Sequence, residues 1–451
     1  MNSQLAVGFL RTLWQLQEHD RWTRHELERY QIYALQKLRA YVYTHSRFYQ
    51  QFHQGLENRP LQDLPILTKA LAMECFDTLV TDPSIHLEAV RNHLGILQGD
   101  ELFLGQYRVM ATSGSTGQPG IFLFNRTEWT TLLASFGHAS VWAGRQGYLV
   151  GAKTAYITST APWHLSTRLS ISIQTRWTPT IGLDPTEPLD FIIQRLNTWQ
   201  PHILVAYASM AHLLAEKQLA GHLHIAPRCV FTSAEVLTEQ GRQRIKQAWK
   251  PIMCNEYALT EGGCLAAERP GHQGLHLMED LVILENVDAQ NRPVPAGVYG
   301  EKVLLTVLFN RTQPLIRYEV SDSIRFAPAP CLVGDPYSII ESIQGRQEDV
   351  LFLPSVSGGE VAVHPYVFHT LMDTLPVNGW QVVQETSGLK LLLSGIREGF
   401  VEEAFIASLR QQLARQGVIV PIIQVQQVSS LPRTPLGKAR LVVSNRAHPA
   451  P

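Results

Sequence analysis

The sequence predicts an α/β protein in two parts: a large N-terminal region of several sheets covered by helices, and a smaller α+β region after it. Three observations carry this. Short apolar runs alternate with helix-like segments from Val109 to about Phe326. The residues before them read as a helical lead-in, ending at a break around Pro60. Pro328, Pro330 and Pro336 cluster just ahead of Gly345-Arg346, and the pattern changes beyond them. The expected boundaries are 1–344, with 1–60 as the lead-in, and 345–451.

In order along the chain, Thr23-x-x-Glu26 is a capping box, and Ile32, Leu35, Leu38 and Val42 recur at helical spacing after it. Residues 154–158, 203–206 and 228–232 are apolar, β-prone runs that read as strands. Residues 189–199 and 238–249 carry helical periodicity between and after them. Past the proline cluster the order is strand, strand, helix, strand. Val382 and Leu389 to Leu393 flank the turn Thr386-Ser387-Gly388, residues 400–413 repeat at helical spacing, and residues 418–428 are β-rich.

Composition excludes several classes. In 451 residues, 45% are hydrophobic and 17% charged, enough for a large core and unlike a disordered chain. The formal net charge of -1 gives no footprint for nucleic acid or an anionic membrane. Five widely spaced cysteines without a C-x-x-C pair fit a reducing compartment. No run reaches the roughly 18 apolar residues of a membrane span, and the N-terminus lacks a secretory pattern. We therefore expect a cytoplasmic protein with no membrane and no nucleic-acid partner.

Thr112-Ser113-Gly114-Ser115-Thr116-Gly117-Gln118-Pro119 is rich in hydroxyls and glycine. Such a loop can wrap N–H and hydroxyl donors around phosphate oxygens, since glycine permits close approach. It lacks the Gly-Lys-Ser/Thr ending of a Walker A loop. Four later segments accompany it: Asn255-Glu256-Tyr257-Ala258-Leu259-Thr260-Glu261, Arg317-Tyr318 with Asp322, Gly345-Arg346 with Glu348-Asp349, and Leu431-Pro432-Arg433 running to Gly437-Lys438. Each alone is weak, but the five together in this order are specific.

Together they resemble the adenylate-forming superfamily of acyl-CoA ligases, luciferases and peptide-synthetase adenylation domains. The phenylacetate–CoA ligase-like branch is the most similar, also through Arg47-Phe48-Tyr49, the run from Leu64 to Lys69 and the stretch from Gly274 to Asp280. The resemblance implies an ATP-dependent acid ligase that makes an acyl-adenylate and passes the acyl group to a thiol, with CoA as the default acceptor. It also implies a mobile C-terminal domain that alternates between the two half-reactions.

Residue by residue, the resemblance gives the 112–119 loop (Thr112, Ser113, Gly114, Ser115, Thr116, Gly117) to the β- and γ-phosphates. Thr260 meets the α-phosphate and Glu261 holds Mg²⁺. Asn255, Glu256 and Tyr257 surround adenine, Asp322 takes the ribose hydroxyls, and Arg346 reaches the ribose or phosphates. Lys438 stabilises the transition state at the α-phosphorus, and Glu348 is the hinge acid. Ser233, Ala234 and Glu235 match the stretch between adenine and acyl group. Trp163, His164, Tyr207 and Ala208 are candidates for the acid pocket, and their aromatic content suits an aromatic acid. His164 either orients the carboxylate or caps a helix.

Two departures stand out. The segment from Val350 to Val361 lacks the glycine-rich pattern that guides CoA, which keeps an amine or carrier-protein acceptor open. A non-catalytic nucleotide-binding relative is a further alternative, although Glu261 and Lys438 are both kept. Some relatives in this branch hold a structural zinc. Here the Cys-x-Cys-Gly pair is absent and Arg269 stands in place of one cysteine, so Cys264, His272, His276 and Cys331 read as core or loop residues. The partners implied are ATP, a small carboxylic acid and CoA or another thiol or amine, with a homodimer left open.

Overall fold

A computed structural model describes residues 3–112, 119–144, 151–175, 178–329, 335–346, 351–356, 358–363, 365–372, 375–419, 422–433 and 440–444. Among these residues, no helix is long and apolar enough to cross a membrane.

The lead-in forms helices Ser3–His19, Arg24–His45 and Arg47–Phe52. The capping box is present: Thr23 N–H donates to Glu26 Oε2 at 2.7 Å, and Glu26 N–H donates to Thr23 Oγ1 at 3.3 Å. The buried face of the second helix is Leu27, Leu38 and Val42, whereas Ile32 is 58% exposed. The helical period is therefore right but Ile32 lies off the buried stripe, because the neighbouring elements cover only a narrow face.

Nine strands form the main sheet, in the order Asp322–Phe326, Ile339–Arg346, Leu275–Leu277, Gly263–Glu268, Ile252–Leu259, Cys229–Ser233, Ile203–Tyr207, Thr154–Ile157, Thr180–Leu183. The last five are mutually parallel and the others pair antiparallel. The parallel strands are connected through helices such as Leu189–Trp199 and Glu239–Trp249, as strand–helix alternation requires. The three central ones, Thr154–Ile157, Ile203–Tyr207 and Cys229–Ser233, are buried nearly throughout, which is why they read as continuous apolar runs. A three-stranded antiparallel sheet (Val282–Val287, Lys302–Val307, Tyr318–Val320) and the hairpin Arg108–Ala111 with Ile121–Phe124 complete this part.

Beyond Leu351 lies a second apolar core, with Leu353, Phe368, Trp380, Leu391 and Leu409 buried in it. Its four-stranded sheet runs Ile422–Val428, Gly388–Ser394, Gly379–Glu385, Val442–Ser444. The expected strand, strand, helix, strand is there, with helix Glu402–Arg415 between the second and third strands. It is preceded by the hairpin Leu351–Pro354 with Glu360–Val363 and helix Pro365–Met372, which the pattern reading did not resolve. Strand Ile339–Arg346 stays in the main sheet to its last residue, where Arg346 pairs with Asp322.

Candidate active site

The carboxyl ends of parallel strands are where open α/β sheets place their ligands. Here those ends deliver Thr158, Tyr207 and Ser233, each followed by a turn or helix. Ala234 follows Ser233 with φ of 65°, a left-handed backbone that an alanine adopts only at a cost of about 1 kcal/mol. Glu235 then turns back, and its Oε2 accepts from Ser209 N–H at 2.8 Å.

Two cavities meet at this edge. A crevice of about 1280 Å³ is lined by Ala234, Asn255, Tyr257 and Asp322 on the sheet side and by Trp380 and Arg433 on the C-terminal side. A smaller cavity of about 400 Å³ is lined by Thr112, His164, Tyr207, Thr260 and Glu261. Ala234, Glu256, Ala258, Leu259 and Asp322 line both.

At their junction Tyr257 Oη donates to Asp322 Oδ2 at 2.7 Å, both residues being buried. Asn255 is set by its neighbours: Thr232 Oγ1 donates to its Oδ1 at 3.0 Å, and its N–H donates to Glu268 Oε2 at 3.0 Å. Thr260 and Glu261 sit in the turn that ends strand Ile252–Leu259. Glu261 is buried, and its charge adds to burial in pushing the Tyr318 phenol well up. Thr112 closes the base of the hydroxyl-rich loop: its N–H donates to Gly120 O at 2.9 Å and its Oγ1 accepts from Gly120 N–H at 2.8 Å. Ser113, Gly114, Ser115, Thr116 and Gly117 lie outside the described residues, as do Glu348, Lys438 and Cys331. Of Arg346 only the backbone is described, in strand register with Asp322.

The four acid-pocket candidates divide. His164 and Tyr207 line the smaller cavity, whereas Trp163 and Ala208 line the crevice. Consecutive residues at a strand end or helix start point to different sides, so neighbours in sequence part company here. His164 Nδ1 accepts from Ser166 N–H at 3.3 Å, capping helix Leu165–Ile173, and the same residue still faces the cavity. Tyr207 Oη accepts from Ser159 N–H at 3.0 Å, and burial pushes its phenol up, so it flanks the cavity as a neutral group.

Residues with no assigned role in the sequence reading also reach the site. Lys69, which follows the N-cap Thr68 of helix Lys69–Glu74, lines the smaller cavity with Thr112. Arg433 extends from the C-terminal part, and its Nη1 donates to Ser209 Oγ at 3.3 Å. Burial lowers the proton affinity of its guanidinium, an effect that the nearby Glu235 opposes. Phe9 and Leu10 reach the smaller cavity from the first helix.

Among the described residues, the candidate zinc ligands do not all come together. His272, His276 and Asp335 bring ligand atoms within 4.8 Å of one another, without Cys264. The Cys264 thiol instead faces Ala266 O at 3.6 Å. Arg269 engages the Asp335 carboxylate and also pairs with Asp20 at 2.9 Å, over the Trp142 ring at 4.2 Å. A guanidinium supplies the positive charge there, and these residues do not fit a four-ligand zinc site.

No family model matches the sequence. Protein CapK of Staphylococcus aureus is 24% identical over 264 residues, 57% of this chain and 56% of that protein, so the matched stretch spans little more than half of it. A 2-hydroxyisobutyryl-CoA ligase in the postadenylation state, in complex with R3-HIB-AMP, superposes with a TM-score of 0.70 at 19% identity, covering 92% of this chain and 89% of that one. The same ligase with 2-HIB-AMP and CoA, in its thioesterification state, gives 0.57 at 18% identity, over 95% and 91%. The chain therefore has the fold of the adenylate-forming enzymes, as its five motifs led us to expect.

Proposed function

We propose that this protein is an ATP-dependent carboxylic acid ligase. A carboxylate oxygen attacks the α-phosphorus of ATP, the bond to the β-phosphate bridging oxygen breaks, and pyrophosphate leaves. A thiolate, with CoA as the first candidate, then attacks the acyl carbonyl carbon and AMP leaves. The observation that carries this reading is the pair of cavities sharing the wall of Ala234, Glu256, Ala258 and Asp322. A nucleotide in the crevice and an acid in the smaller cavity would meet at that wall, with Thr260 and Glu261 on the smaller cavity's side.

Both reactants are anions, so the site must neutralise charge and hold them in line. Asp322, steadied by Tyr257, accepts from the ribose hydroxyls, and Asn255 meets the adenine edge. Glu261 offers the hard carboxylate oxygen that Mg²⁺ prefers, beside Thr112 and Thr260. The ion would offset phosphate charge. The hydroxyl-rich loop 112–117 cradles the leaving phosphates, with Arg346 near the ribose, and Lys438 approaches the α-phosphate from the C-terminal domain. That domain, 345–451 against 1–344, turns about Glu348 between half-reactions. Gln240 Nε2 donating to Val377 O at 2.8 Å and Arg433 to Ser209 at 3.3 Å are contacts that such a turn would break.

Among the described residues, the charged side chains of the smaller cavity are Lys69, Glu256, Glu261, Glu319 and Asp322. They lie on the segments that carry the nucleotide motifs or beside them. The remainder of the lining is uncharged and includes Tyr156, Phe136 and Phe231, which suits a compact acid with no charge besides its carboxylate, an aromatic one first. The departure from the usual CoA-guiding segment at 350–361 favours one second reading, transfer to an amine or carrier-protein thiol. Hydroxylamine trapping of the adenylate, followed by mass analysis with CoA in its place, tests both. Hydroxamate without thioester would move the acceptor away from CoA; neither product across aromatic and aliphatic acids would contradict the ligase reading.

A further inference from the structure

The smaller cavity has a wall that belongs to none of the motifs. Phe9 and Leu10, on helix Ser3–His19, line it together with Leu133, Phe136, Gly137 and Ser140 of helix Arg126–Trp142. The two helices are held in close contact. A Cβ at Gly8 would lie 3.1 Å from Thr130 Cγ2, and a Cβ at Gly137 would lie 2.8 Å from Phe9 Cζ. At the end of the first helix, Asp20 Oδ2 accepts from His138 Nε2 at 3.0 Å and from Trp142 Nε1 at 3.1 Å. Leu5, Leu13 and Leu16 are buried. The helix is thus a fixed wall. It is also thin, because Leu10 is 59% exposed while touching the cavity.

We propose that Phe9, seated in the notch left by Gly137, limits the length of the acid tail this protein accepts. The proposal rests on reading the smaller cavity as the acid pocket. The Phe9 ring occupies space at the edge of that cavity, and Gly137 lets it stand back. Removing the ring lengthens the pocket toward solvent. A methyl added at Gly137 would stand 2.8 Å from Phe9 Cζ, too close for two carbons, and so pushes the ring out of its notch. A pocket discriminates one methylene by about tenfold or more, so both changes are readable as ratios of kcat/KM.

The test uses the full chain and acid-dependent ATP–pyrophosphate exchange, over a homologous series of acids lengthened one methylene at a time. Phe9→Ala is expected to raise the ratio of kcat/KM for long over short acids by about tenfold or more, and Gly137→Ala to lower it. Phe9→Leu should fall between wild type and Phe9→Ala, and it serves if Phe9→Ala does not fold. Wild-type exchange with ratios unmoved in both Phe9 and Gly137 variants would overturn the proposal while leaving the ligase reading intact. Absence of exchange by the wild type across the series would overturn both.

Discussion

The Tyr257 hydroxyl donates to the Asp322 carboxylate at 2.7 Å, joining the strand that carries Asn255, Tyr257 and the turn to Glu261 to the edge strand of the main sheet. The bond presents an acceptor to the crevice and fixes the ring plane beside it. If Asp322 takes the ribose hydroxyls, Tyr257→Phe should raise the KM for ATP by about tenfold, the low end of what one buried hydrogen bond to a charged group is worth. Asp322→Ala should raise it further, by about a hundredfold, since both acceptor oxygens go. Nucleotide titration of the variants checks the order; an unchanged ATP affinity in Asp322→Ala would remove its ribose role.

Glu348 is expected to serve the domain turn and not the adenylation chemistry. Glu348→Pro should leave pyrophosphate exchange within about threefold of wild type and slow thioester formation by about tenfold or more, because proline restricts φ at a hinge. Single-turnover rates for the two steps separate these effects. Equal slowing of both would contradict the hinge assignment.

Acid should weaken the helical lead-in through His53. Its imidazole is buried against Tyr49 and Phe52, and burial, helped by the Arg39 charge, holds it down at about 4. Among the described residues, neither ring nitrogen has a hydrogen-bond partner. An unfolded chain takes up this proton near pH 6.5, the folded one only near 4, so between them stability is lost as pH falls. The loss from His53 amounts to about 2 kcal/mol between about pH 7.5 and about pH 5. His53→Leu should remove about 2 kcal/mol of the acid-induced loss in unfolding free energy measured by urea titration; an unaltered loss would show that other groups carry it.

Arg269 should hold the fold together where a metal might have been expected. Arg269→Met leaves the carboxylates of Asp20 and Asp335 without their guanidinium, beside a His276 whose imidazole burial holds down at about 4. Breaking one partner of a buried pair costs about 3–5 kcal/mol, visible as a lower melting temperature. A chelator should leave the wild-type melting temperature where it is. A fall on chelation would contradict the charge-cluster account.

Much of this was legible in the chain because the signals are local. Thr23 and Glu26 make their capping box within one turn, and parallel strands such as Ile203–Tyr207 announce themselves by being apolar throughout. Tyr257, Thr260 and Glu261 could be expected close together because they lie on one strand and its following turn. What escaped depends on tertiary docking. Nothing near Phe9 in sequence says that it meets Gly137, and the split between Trp163 and His164 follows from which way a turn faces. The hairpin Leu351–Pro354 with Glu360–Val363 escaped because its strands are only four residues each, although their connection does carry Gly358-Gly359, both at positive φ.

Adenylation of an acid is read out by acid-dependent ATP–pyrophosphate exchange with Mg²⁺. We expect exchange with at least one compact acid that bears no charge besides its carboxylate, in a panel of aryl, arylacetic and aliphatic acids. We expect it to fall by about a hundredfold or more in Lys438→Ala, while ATP still binds. Exchange that is absent from the wild type, or that survives unchanged in Lys438→Ala, would contradict the account.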